Sequence, residues 1–238
     1  RMVPDPAAVP YASYIRMPGH AVCCASPERF LSRSGDRVVS SPIKGTRPRG
    51  STAEQDQALR RELLDSQKER AENLMIVDLV RHDLNGVCER GSVRVDELFG
   101  VHTYGTVHQL VSTVSGRISP STDPIEVLAA CFPMGSMTGA PKISAMEAIE
   151  RLERFRRGIY SGAIGWIAPD GAFDFNVVIR TAIVRTDSGA IVCYPAGGAI
   201  TSDSDPASEW EETLIKTRVL RAGEAPEAAI SPDGSASR

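Results

Sequence analysis

The sequence predicts an α+β fold: mostly antiparallel strands with helices laid on the outside, in one domain over 1–221 followed by a disordered tail at 222–238. Three observations point there. Short apolar strands are joined by tight polar turns, Pro169-Asp170-Gly171 and Asp187-Ser188-Gly189, of the kind that reverse a hairpin. A single long window, 52–84, repeats Leu59, Leu63, Ile76, Leu79 and Val80 at helical spacing. The last stretch, GEAPEAAISPDGSASR, is too poor in apolar residues to fold by burial.

Taken in order, 20–32 (HAVCCASPERFLS) reads as a strand entering a turn at Ser26-Pro27, and 36–41 as a second strand. Residues 42–50 carry two prolines and two glycines and are expected to be a loop. The helical window follows and is stopped by Asn85-Gly86. Residues 93–117 are β-rich, and 123–130 form a short helix with Pro124 at its first position, where a missing N–H costs nothing. A glycine-containing loop, 135–142, opens a helix over 143–153. Strands are expected at 159–168, 173–186 and 190–195, then a Gly-Gly loop and a last helix over 208–220. The sequence has no internal repeats and no low-complexity linker before its tail.

The 238 residues carry 27 Lys+Arg against 30 Asp+Glu, a formal charge of −3, which argues against a nucleic-acid partner. Hydrophobic residues reach 42% but aromatics only 5%, the composition of a soluble domain with an aliphatic core. No run approaches the roughly 18 apolar residues of a membrane helix, and RMVPDPAAVPY has no secretory signal. Cys23, Cys24, Cys88, Cys131 and Cys193 are odd in number and scattered, so they read as small buried hydrophobes of a reducing cytoplasm.

The chemistry sits on charged residues in unusual company. Glu69 and Glu72 are one turn apart, and Glu72 lies in line with Ile76 and Leu79 on an apolar stripe. Glu209 and Glu212 repeat the arrangement on the last helix, followed by Lys216. Two such pairs suit a hard divalent ion such as Mg²⁺, which takes oxygen ligands and keeps several waters. Salt-bridged faces, with Lys68, Arg70 and Arg81 on one helix and Glu212–Lys216 on the other, are the plainer alternative. Gly197-Gly198 lets a backbone approach a ligand or is a simple turn, and Gly139-Ala140-Pro141-Lys142 opens a helix in an anion-friendly way. Arg180, inside the apolar run FNVVIRTAIV, needs a carboxylate partner and suits the grip on a substrate carboxylate. Lys44, beside Arg47 and Arg49 in SPIKGTRPRG, is either a solvated loop lysine or an amine made nucleophilic by its neighbours. Together these residues describe a Mg²⁺-dependent enzyme acting on a small polyanion and leave phosphate and carboxylate chemistry both open.

Seven strings, ASPERF, PIKGTRPRG, ERAENLMIVDLVRHDL, HQLVSTVSG, GSMTGAPKISAMEAIE, YSGAIGW and AGGAITSDSDPASEWEETLIK, run in order from about Pro10 to Leu220. They resemble the chorismate-utilising enzymes, the family that includes anthranilate synthase component I and aminodeoxychorismate synthase component I. The resemblance implies an anthranilate-synthase-like fold of two large, mostly antiparallel sheets packed together with helices outside. It implies that Glu72 and Glu212 are direct Mg²⁺ ligands and that Glu69 and Glu209 hold the ion's waters. It places Tyr160, Arg180, Gly197, Gly198 and Lys216 at substrate carboxylates and His108 and Thr138 at the ring. Glu28 of SPERF corresponds to the general acid/base for the departing hydroxyl. Lysine at position 44, where anthranilate synthases carry alanine, is the pattern of the aminodeoxychorismate branch, in which the amine attacks C2 of chorismate and ammonia then displaces it from C4. The implied partners are chorismate and a glutamine amidotransferase, as subunit or fused domain, in a pathway to 4-aminobenzoate and folate.

The family's chain is longer, so the sequence is expected to begin inside the catalytic domain, after an N-terminal portion that supplies outer strands. VRHDL stands where Arg-Asn-Asp is more usual, and Met134 replaces a second glycine. The alternatives are a related chorismate enzyme making anthranilate or a secondary metabolite and, from another class, a non-catalytic fragment that binds Mg²⁺ or chorismate weakly or only completes a larger protein.

Overall fold

The computed structural model describes residues 9–187 and 191–221. By internal contacts the chain divides into two compact units, one running to Pro195 and the other beginning at Ala196. The expected turn at 187–189 lies outside the described residues apart from Asp187, and the expected tail at 222–238 lies wholly outside them.

The first unit holds two antiparallel sheets. One is four-stranded, in the order β1 (Tyr11–Met17), β2 (His20–Ser26), β10 (Thr181–Arg185), β11 (Ile191–Cys193). The other is seven-stranded. Its path runs β5 (Ile43–Pro48), β7 (Val107–Arg117), β4 (Arg37–Ser41), β3 (Arg29–Ser34), β9 (Phe173–Val177), β8 (Ala163–Ile167), and β6 (Arg94–Thr103) also pairs with β7. Helices α1 (Ala53–Asp65), α2 (Gln67–Asn85), α3 (Pro124–Cys131) and α4 (Lys142–Leu152) complete this unit, which is an α+β fold as expected.

Local chemistry explains most boundaries. Thr52 caps α1 by accepting the Gln55 N–H, and Ser66 caps α2 by accepting the Glu69 N–H, so the helical window is two helices broken at Ser66. Asp123 caps α3 with Pro124 at its start. The core lies where α2 and α3 meet the larger sheet: Ile76, Val77, Val80 and Leu84 of α2 pack with Val127 and Cys131 of α3 and with Leu31, Val38, Val114 and Phe173 of the strands. The smaller sheet ends in β11, where Cys193 is exposed.

Three expectations are corrected. Residues 43–48 are not loop but strand β5, laid along the same edge of β7 that β4 uses. Pro42, which has no N–H to give a ladder, marks the join, and its carbonyl still accepts from the Ser112 N–H at 3.1 Å. Residues 173–186 are two strands rather than one. β9 belongs to the seven-stranded sheet and β10 to the four-stranded one, and the chain crosses between them at 178–180. The apolar run is continuous because both strands are buried, so hydrophobicity alone hides the break. Arg180 therefore sits in a corner and not within a strand, with φ of 52°. Residues 159–162 form a turn before β8.

Asp83, near the end of α2, and Lys142, at the start of α4, form an ion pair at 2.6 Å with side chains only 10% and 18% exposed. The GAPK lysine is thus paired with a carboxylate instead of waiting for an anion. Breaking such a pair strands a buried charge, which costs about 3 kcal/mol or more. Lys142→Met is expected to lower the unfolding free energy by that amount in urea titration, and adding Asp83→Leu is expected to recover most of it.

Candidate active site

Glu28 and Lys44 lie at two irregularities of the larger sheet. Glu28 follows Pro27 at the junction of β2 and β3, and β3 shifts register just after it, between Arg29 and Ser32. Lys44 occupies a bulge: Ile43 pairs with Val111 but Thr46 pairs with Gln109, which leaves one extra residue on β5. A bulge re-aims a side chain that a regular ladder would fix. Gly45 makes this one feasible, with φ of +83°, and a Cβ there would come within 2.9 Å of the Glu69 carboxylate and Leu63. The Lys44–Gly45 backbone is therefore pressed against Glu69.

Glu28 is 6% exposed. Burial pushes its carboxyl from the ordinary 4.5 up to about 7, while a hydrogen bond from Ser136, the charge of Lys44 and the Ile43 N–H pull the other way. Three elements thus converge on one carboxyl: the β2–β3 junction, the β5 bulge and the short 3-10 turn Gly135–Met137. A carboxyl poised near neutrality beside a lysine suits proton transfer. Ser136 had no signal in the sequence beyond membership of a glycine-containing loop.

Glu72 lies on the buried face of α2, 8% exposed, beside Asn73 and Ile76, so its expected place on the apolar stripe holds. Glu69 is one turn away and pairs with Arg47 at 3.4 Å. His108, at the start of β7, is fully buried. Thr138 ends the 3-10 turn and donates its hydroxyl to the Met134 carbonyl at 3.1 Å. Thr138 and Tyr160 line one open cleft of about 270 Å³, with Arg157, Met146 and Phe132 on its walls.

Arg180 occupies the crossing between the sheets. A non-glycine residue at positive φ is strained, and such strain concentrates where function needs a particular side-chain direction. Around it stand two tyrosines. Burial raises the Tyr160 phenol, with the charge of Arg157 and, less strongly, that of Arg180 opposing. Burial also raises the Tyr194 phenol, against both the charge of Arg180 and a hydrogen bond with it. Tyr194 was not identified from the sequence, because nothing local marks it.

In the second unit, helix α5 (Pro206–Arg221) carries Glu209, Glu212 and Lys216. Glu209 is 5% exposed and accepts a hydrogen bond from Ser204 at 2.8 Å. Lys216 pairs with Glu212 at 2.7 Å and donates to the Gly197 carbonyl at 2.9 Å. A Cβ at Gly198 would stand 3.3 Å from the Glu209 carboxylate, so the Gly-Gly segment lies directly on the helix's acidic face. Both Glu pairs offer only oxygen donors, with Glu72 and Glu209 buried, and that donor chemistry fits Mg²⁺. Among the described residues, no three His, Cys, Asp or Glu side chains form a ready metal cluster, and no helix is long and apolar enough to cross a membrane.

The family model described as "chorismate binding enzyme" matches residues 6–222. Aminodeoxychorismate synthase of Streptomyces griseus is 53% identical over 213 residues, which are 89% of this chain and 29% of that protein. Aminodeoxychorismate synthase component 1 of Bacillus subtilis (strain 168) is 42% identical over 212 residues, 89% of this chain and 44% of that protein. Among solved structures, anthranilate synthase component I from Streptococcus pneumoniae TIGR4 superposes with a TM-score of 0.76 at 35% identity, over 90% of this chain and 47% of that one. The chain thus spans less than half the length of these relatives.

Proposed function

Because the chain belongs to the chorismate-binding enzymes, we propose that it is the catalytic segment of an aminodeoxychorismate synthase, converting chorismate and ammonia to 4-amino-4-deoxychorismate for 4-aminobenzoate and folate synthesis. The observation that carries the reading is the buried Glu28 carboxyl beside Lys44 on its bulge. The Lys44 amine, in its neutral form, attacks C2 of chorismate, both ring double bonds shift along the ring, and the C4 hydroxyl leaves. Glu28 delivers a proton to that hydroxyl, which departs as water. Ammonia then adds at C4, both double bonds shift back, and the Lys44 amine leaves C2. Arg180, Tyr160, Lys216 and the Gly197-Gly198 backbone grip carboxylates, while His108 and Thr138 shape the ring site.

Glu72 and Glu212 would hold Mg²⁺ directly, and Glu69 and Glu209 would hold its waters. The bound ion supplies Lewis-acid polarisation of a substrate carboxylate. Ammonia comes from a glutamine amidotransferase, as partner or fused domain, in the cytoplasm.

The test is product analysis of the purified chain with chorismate, MgCl₂ and an ammonium salt. The expected product is 4-amino-4-deoxychorismate. Anthranilate as the sole product would replace this reading with that of its sister enzyme. No turnover, together with no rise in the thermal midpoint on adding Mg²⁺ and chorismate, would leave only a non-catalytic fragment, since any ligand of the native state raises that midpoint.

A further inference from the structure

We infer that Asp56, in the first turn of α1, is a positioning residue for His108, fixing the imidazole in the tautomer that carries its proton on Nε2. This inference rests on the reading of the chain as a chorismate enzyme with His108 at the ring.

His108 is enclosed on both sides. Its Nε2 lies 3.0 Å from the Asp56 Oδ1, and its Nδ1 lies 2.9 Å from the Thr103 hydroxyl. Thr103 is its cross-strand partner on β6 and Arg47 its partner on β5, so the backbone around the ring is held from two strands. The imidazole side chain is 1% exposed, which leaves no solvent to choose its orientation.

Asp56 is itself held as a carboxylate. Arg49 donates Nε at 2.7 Å and Nη2 at 3.0 Å, and the Gly50 N–H adds a third bond at 2.8 Å. This fork keeps its carboxyl well below the usual range. A Cβ at Gly50 would lie 2.2 Å from the Asp56 backbone nitrogen, so only glycine lets the Arg49–Gly50 segment close over the carboxylate. An ionised carboxylate has acceptors and no donors. The imidazole nitrogen facing it must therefore carry a proton, and the Thr103 hydroxyl is free to donate to Nδ1. The fork fixes Asp56, and Asp56 fixes the ring.

The sharpest probe is Asp56→Ala. Oδ1 takes both the Arg49 Nε and the Gly50 N–H and also faces Nε2, while Oδ2 takes only Arg49 Nη2, so an asparagine would keep its oxygen toward the ring. Alanine removes that acceptor, and the proton is then free to move to Nδ1, toward a Thr103 hydroxyl that accepts as readily as it donates. Side-chain ¹⁵N NMR reads the tautomer directly, and the chain has four histidines, so His108→Gln assigns the signal by its loss. The full chain is expected to show protonated Nε2 at His108, and Asp56→Ala to show the proton shifted toward Nδ1. With chorismate, MgCl₂ and ammonium, Asp56→Ala is expected to lose roughly 10²-fold or more in kcat with KM little changed. Bare Nε2 in the parent chain overturns the inference. So does an Asp56→Ala variant whose only defect is a lower thermal midpoint, with tautomer and kcat unchanged. If the parent chain itself fails to turn over chorismate, the functional reading fails, while the NMR result still decides what Asp56 does to His108.

Discussion

Lys44→Ala is expected to lower the rate of 4-amino-4-deoxychorismate formation by about 10³-fold or more, with the fold intact. Lys44 sits on an exposed-to-intermediate edge strand, so truncating it opens no core cavity and leaves the β5 ladder to β7 in place. What disappears is the proposed nucleophile. Without an amine to occupy C2, ammonia competes for that carbon directly, and any remaining product is expected to carry nitrogen at C2 and not at C4. Chromatography of the products with mass detection separates the two regiochemistries. An unchanged rate of C4 amination would remove Lys44 from the mechanism and the covalent route with it.

Glu28→Gln is expected to trade activity for stability, and the direction depends on pH. The folded-state pKa, about 7, lies above the ordinary 4.5 because the carboxyl is buried. Between those two values the folded chain keeps a proton that the unfolded chain has released. Stability therefore falls as pH rises through this window, by a total on the order of 3 kcal/mol. Glutamine has nothing to ionise, so the variant loses this pH dependence. Urea titrations are expected to show it more stable than the parent chain at pH 8 and close to it at pH 4. Its rate of hydroxyl departure should drop by about 10²- to 10⁴-fold, and the parent's activity should decline above pH 7 as the acid form empties. Parallel stability curves for the two chains across pH 4–8 would mean that Glu28 is not buried as an acid.

The parts of this structure that were legible in advance are those dictated by neighbours along the chain. Thr52 before α1, Asp123-Pro124 before α3 and the Pro169-Asp170-Gly171 turn each carry their own geometry, and each element appears where expected. What was hidden depends on residues far apart in sequence. Residues 42–50 look like loop because prolines and glycines dominate them, yet β7 supplies the ladder that makes six of them strand. The run 173–186 gives no sign of its crossing because both sheets bury their share of it. The same holds for the site. Glu72 could be read from helical periodicity, but Ser136 beside Glu28, Tyr194 beside Arg180 and Asp56 beside His108 are brought together only by the tertiary fold.

The exposed end of β11 makes the chain easy to instrument. Of its five thiols, burial raises Cys88 to about 11 and Cys131 to about 12, Cys24 is buried and Cys23 half-buried, whereas Cys193 is exposed. A maleimide dye at neutral pH is therefore directed chiefly to Cys193, without engineering. That position is one residue from Tyr194, whose hydroxyl touches the strained arginine. On the proposed reading of Arg180 as a carboxylate grip, a fluorophore there becomes an optical gauge of substrate binding, read in real time before any chemistry has taken place.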